Sequence, residues 1–178
     1  MSGAERFNLV ARVLHWTMAV LIAAMLFVGV AMVASVDNRT WLLALHRPIG
    51  ALILVLVVVR LINRLRHPPP PLPADLPRRQ AIAAHASHWL LYALMFGMPL
   101  VGWTMLSAGG YPVVLFDGVR LPALVSPDPA LYAWLRDAHG WAARLLFVLV
   151  LVHVAAALYH AWVRRDGVFG AMARFGRR

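Results

Sequence analysis

The sequence predicts an all-α, polytopic membrane protein built as a four-helix bundle. Three observations predict it. The 178 residues are 62% hydrophobic and 13% charged, with mean hydropathy +0.72, a composition outside that of a soluble domain of this length. Four apolar runs, each long enough for a hydrocarbon core of about 30 Å, use up most of the chain and leave room for one domain over 1–178. The seventeen basic residues are all arginine and fall in blocks between the runs. That pattern is membrane topology and excludes a nucleic-acid-binding face.

The first run, about 12–35, follows Arg6 and Arg12 and carries His15 and Trp16 at its mouth. It exceeds the apolar core of a secretory signal and is expected to stay as a span. The second, about 46–65, starts at HRPIG, where Pro48 suits a first turn because its missing amide hydrogen has no use there. Arg60 and Arg64 are expected to snorkel from its far end to the nearer surface. Five prolines among the seven residues from Pro68 then forbid helix and make a stiff spacer.

The third run, about 83–106, has His85 and His88 on one side of its entrance, and Gly97, Pro99 and Gly102 predict a kink in its second half. The connection from Ser107 to about Asp137 is polar and rich in Gly and Pro. A loop of that length in a bundle covers or binds something. A short interfacial helix is expected near Pro129–Leu135, with Tyr132, Trp134 and Trp141 forming an aromatic belt. The fourth run, about 138–163, carries His139, His153 and His160 at heptad intervals, hence on one stripe. Fourteen residues separate the first two by about 21 Å along the axis.

Twelve arginines belong to the two termini and the second connection, and five (Arg39, Arg47, Arg120, Arg136, Arg144) belong to the other face. The arginine bias puts both termini in the cytoplasm. Depth then sorts the histidines. His46 and His139 open their helices from the outer face and make one pair, whereas His153, in the inner half, has His15 or His88 as its partner.

Imidazoles at matched depths on different helices point to metal, since such residues are costly in lipid. Cysteine is absent, which removes thiolate haem ligation, iron–sulfur clusters and disulfides. Zinc requires three or four ligands at one point. Facing pairs, one above the other, suit two six-coordinate haem irons stacked across the bilayer. Gly29, Gly50, Gly97, Gly102, Gly140 and Ala155–Ala157 supply small residues beside a flat macrocycle. Arg144, about 140° round from His139, is directed away from that haem face, which leaves it either to snorkel outward or to pair with a propionate from the side.

The stretches RVLHW at Arg12, ALHRPIG at Ala44, RLINRLRHPPPPLP at Arg60, AAHASHWLLY at Ala83, SAGGYPV at Ser107, LPALV at Leu121 and HVAAALYHAWVRRDGV at His153 together resemble bacterial cytochrome b561. The resemblance covers nearly the whole chain. It implies an inner-membrane oxidoreductase with two b haems, taking electrons from periplasmic superoxide to ubiquinone. It further implies that His15 and His153 ligate the cytoplasmic-side haem iron and His46 and His139 the periplasmic-side one, with His88 and His160 near propionates or the quinone headgroup. Arg47, beside a ligand, is the candidate superoxide or propionate contact.

The chain departs from that pattern at Arg47-Pro48, where a basic-Ser pair often stands, and at Ala161, where a second histidine often follows. The alternative is a relay or membrane-anchor cytochrome b that passes electrons between a periplasmic or dehydrogenase partner and the quinone pool. A haem-free transporter fits less well, because the chain lacks an inverted repeat and intramembrane carboxylates.

Overall fold

The computed structural model describes residues 6–116 and 118–173. Four helices long and apolar enough to cross a membrane dominate it: α1 (Leu9–Ala34), α2 (Arg39–Arg66), α3 (Arg78–Ala108) and α4 (Pro129–Tyr159). A single π-helical turn at His160–Arg164 extends α4, and a short α5 (Val168–Ala173) follows. Between α3 and α4 the chain forms an antiparallel hairpin, β1 (Val113–Phe116) with β2 (Val119–Leu121).

Local chemistry sets these boundaries. Asn8 caps α1, its side-chain oxygen accepting from the amide of Ala11 at 2.7 Å. α4 starts at Asp128-Pro129, where the carboxylate accepts from the amides of Ala130 and Leu131 and proline occupies the first turn. No helix breaker stands between Leu135 and Ala138, so the expected interfacial helix and the fourth span are one continuous rod. α2 also begins earlier than expected, at Arg39, because RTWLLAL already reads as helix. Pro48 consequently lies inside α2 instead of in its first turn, and α2 runs on through it. α3 likewise starts at Arg78 and runs on through Pro99.

α1 packs on α2, α2 on α3 and α3 on α4, whereas the backbone of α4 makes at most marginal approach to α1 and α2. The small core lies on the packed side, where Met18, Val57 and Tyr92 meet. Only 6% of the most apolar window of α1 or of α4 is buried within the protein, against 17% for α2 and α3. The apolar exterior is therefore lipid-facing surface.

The two ends of the bundle differ. At the termini end, the amide of Phe7 donates to the Ala171 carbonyl and Trp16 Nε1 to that of Met172, both at 3.3 Å, which draws α5 against the start of α1. At the hairpin end, Trp103 Nε1 donates to the Pro122 carbonyl at 2.9 Å, Ser107 Oγ accepts from the Leu124 amide, and the Asp128 amide donates to the Ala108 carbonyl. The long connection is thereby folded over α2 and α3. Trp134 and Trp141 are exposed as a belt requires, whereas Tyr132 is half-buried with its ring edge-on to that of Tyr111.

Candidate functional site

The histidines on α4 face partners across the two gaps where α4 stays apart from α1 and α2. Towards the hairpin end, His139 meets His46 of α2 with ring centroids 6.2 Å apart. Fourteen residues further along, His153 meets His15 of α1, again at 6.2 Å. His88 of α3 lies closer to His153, at 5.5 Å.

Neither His46 nor His139 opens its helix. Each lies about two or three turns inside, and because both helices start early by similar lengths, the two depths still match. Gly102 of α3 makes room for the His139 ring, since a Cβ there would stand 3.3 Å from Cε1 and 3.6 Å from Nδ1. The Met98 carbonyl is also near this ring, without hydrogen-bond geometry to Nδ1. His46 Nδ1, His139 Nδ1 and Arg47 Nε are buried without hydrogen-bond partners. Leaving such a group without a partner costs about 1–3 kcal/mol, so each calls for one.

At the termini end, Arg60 does not snorkel away. Its Nε donates to the Tyr92 hydroxyl at 3.1 Å, its Nη1 to the Ala11 carbonyl at 3.4 Å, and its Nη2 lies 3.1 Å from His15 Nδ1. Arg64 lies over the rings of Trp89 and Tyr92 at 5.7 and 5.6 Å. Arg60 is therefore not the surface residue that its place near a helix end leads one to expect. The signal that would have found it is its fourteen-residue interval from His46, the same as that between His139 and His153.

His160 lies apart from the ring pairs. Its Nδ1 is 2.6 Å from Asp166, which also accepts from Arg164 Nε at 2.9 Å, and Arg164 donates to Asp75 at 2.7 Å. The turn that makes this network possible is the π-helical one, closed by Arg165 at φ 53°. Burial raises the Asp166 carboxyl, but hydrogen bonds from His160, Arg164 and the Val168 amide outweigh it and hold the group below its ordinary value of 3.8. Arg144 turns back toward the hairpin end, its guanidinium 4.8 Å from the Trp141 ring centroid. It snorkels along its own helix.

A family model described as prokaryotic cytochrome b561 matches residues 6–174. The chain belongs to the prokaryotic cytochrome b561 family. Among curated relatives, it is 30% identical to cytochrome b561 homolog 2 of Escherichia coli (strain K12) over 172 residues, covering 94% of this chain and 91% of the relative. It is 29% identical to the probable superoxide oxidase CybB of Yersinia pestis over 155 residues, 86% and 87% of the two chains. To cytochrome b561 homolog 1 of E. coli it is 26% identical over 172 residues, 91% and 93%. Membership of the cytochrome b561 family makes it a multi-pass membrane haem protein of the electron-transfer class, with haem b as the implied cofactor.

The residues present fit that cofactor. An imidazole nitrogen bonds a metal at about 2.0 Å and lies about 1.1 Å from its ring centroid, so two imidazoles on opposite sides of one iron hold their centroids roughly 6.2 Å apart. Both α4 pairs meet that separation. His88 and His153 fall short of it by more than half an ångström.

Proposed function

We propose that this cytochrome b561 holds two b haems and transfers electrons from superoxide at the periplasmic face to ubiquinone near the cytoplasmic face. In this reading His46 and His139 would hold the haem iron at the hairpin end, and His15 and His153 the one at the termini end. The observation that carries it is the pair of equal 6.2 Å ring separations, one above the other, across the gaps beside α4. The arginine bias supports an orientation with the termini end in the cytoplasm of a bacterial inner membrane. Similarity to the probable superoxide oxidase CybB of Y. pestis supports superoxide as the donor.

The reaction balances when two superoxide ions each give up one electron and leave as dioxygen, while quinone takes both electrons and two protons to become quinol. Haem b, when bound, supplies one-electron iron chemistry within the bilayer. The chain's own residues do the rest. Arg47, adjacent to His46 and with its buried Nε unpartnered, provides a positive hydrogen-bond donor for an anion at the hairpin end. His88, beside His153, is a candidate contact for a quinone or a propionate. At the termini end, Asp166 engages His160 Nδ1, which leaves Nε2 to meet a quinone oxygen or a propionate. The Arg164–Asp75 ion pair braces that network.

Stopped-flow mixing of the oxidised, purified protein with superoxide tests the donor. Haem reduction faster than in a free-haem control is expected. A rate no faster than that control means that the chain is an electron relay without a substrate of its own.

A further inference from the structure

Arg60 lies fourteen residues beyond His46 on α2, an interval that brings a helix back to within about 40° of the same stripe and about 21 Å further along. Where α2 offers an imidazole at one level, it offers a guanidinium at the next. The three acceptors around Arg60 (Tyr92 hydroxyl, Ala11 carbonyl, His15 Nδ1) are neutral. Among the described residues no carboxylate pairs with it. A guanidinium has five donors in a planar fork, and its best-matched partner is a carboxylate.

The contact with His15 adds a chemical constraint. A neutral imidazole that accepts from Arg60 at Nδ1 carries its one hydrogen on Nε2 and has no lone pair there for a metal. If Nε2 coordinates, the hydrogen moves to Nδ1, and two donors then face each other. Coordination through Nδ1 uses the very lone pair that Arg60 needs. By either nitrogen, metal ligation by His15 and the Arg60–His15 hydrogen bond exclude one another, so ligation leaves this arginine seeking another acceptor.

We propose that Arg60 binds a propionate carboxylate of the haem held between His15 and His153, and that Tyr92 is the positioning residue that aims it. The proposal rests on the reading of His15 and His153 as ligands. Haem b carries two carboxylate side chains, which supply the missing class of partner. Tyr92 suits its task because its ring is buried in the core with Met18 and Val57 while its hydroxyl accepts from Arg60 Nε.

The test uses the full chain in detergent, titrated with haem b or with its dimethyl ester, in which both carboxylates are masked. With haem b, Arg60→Gln should weaken binding at the His15/His153 level roughly tenfold or more, the scale of a charge-assisted hydrogen bond. It should also lower that haem's midpoint potential, since loss of a positive charge favours ferric iron. With the ester, the variant and the unsubstituted chain should bind alike. Tyr92→Phe keeps the ring and its packing and should show the same selectivity in weaker form. Equal weakening for both cofactors in both variants, or no weakening with haem b, overturns the proposal. His15→Ala separates this failure from that of the parent reading. If His15→Ala loses one haem while Arg60→Gln behaves as the unsubstituted chain, only the carboxylate assignment falls, and if His15→Ala retains two, both fall.

Discussion

Gly102 and His139 show how finely the ring pair is seated. A Cβ at position 102 would press within 3.3 Å of the imidazole, a separation that a small movement of the ring relieves but a branched side chain does not. Gly102→Ala should leave haem content near that of the unsubstituted protein, whereas Gly102→Val should remove the hairpin-end haem alone, read as haem per polypeptide. His88 provides the complementary case. Its ring sits too near His153 to leave room for an iron, so His88→Ala should retain both haems, and a haem lost from that variant would reinstate it as a ligand. That His46 faces His139 was legible from matched depth, which survives although neither opens its helix because both helices start early by similar lengths. Arg60 was not, since a charged residue near a helix end reads as snorkelling until the neighbouring helix is known to present an imidazole.

The ends of the elements carry their own consequences. Gly109, at the C-cap of α3, sits where a Cβ would stand 2.6 Å from the Tyr111 ring and 2.9 Å from Tyr132. Gly109→Ala should therefore disturb the tyrosine pair that joins the loop to α4, lowering stability by about 1–3 kcal/mol in thermal unfolding. At the other end, Asp166 joins the π-helical turn of α4 to the residues before α5. Its folded-state ionisation is depressed below 3.8, so its stabilisation is complete above that value and is lost as pH falls through the lower folded value. Asp166→Asn should flatten the acid side of a melting-temperature profile while leaving its neutral side lower throughout. The four spans were visible as apolar runs, but their starts were not. Arg39 and Arg78 are polar, and a hydropathy reading cuts them off although the helical backbone continues into the headgroup region. The Asp128-Pro129 cap was an available signal for α4, obscured by Gly140 and by the polar stretch around Asp137. The β1–β2 hairpin had one trace, the Asp117-Gly118 dipeptide between Phe116 and Val119, a two-residue turn signal, whereas VVLF and VRL are too short to show a strand period.

In the whole molecule, α4 is the rod against which the other helices are arranged: packed closely on α3, held off from α1 and α2, and facing each of those through one pair of imidazoles 6.2 Å apart. Haem between those rings would add the apolar contact that the protein itself makes sparingly there, so haem extraction should lower the melting temperature sharply and readdition should restore it. The measurement that bears most directly on this arrangement is haem per polypeptide, with reduced-minus-oxidised spectra, for His15→Ala, His46→Ala, His139→Ala and His153→Ala beside the unsubstituted chain. Two haems in the unsubstituted protein and one in each variant are expected, with His15→Ala and His153→Ala losing the same spectral component and His46→Ala and His139→Ala losing the other. A colourless unsubstituted protein, or four variants that all keep two haems, contradicts it.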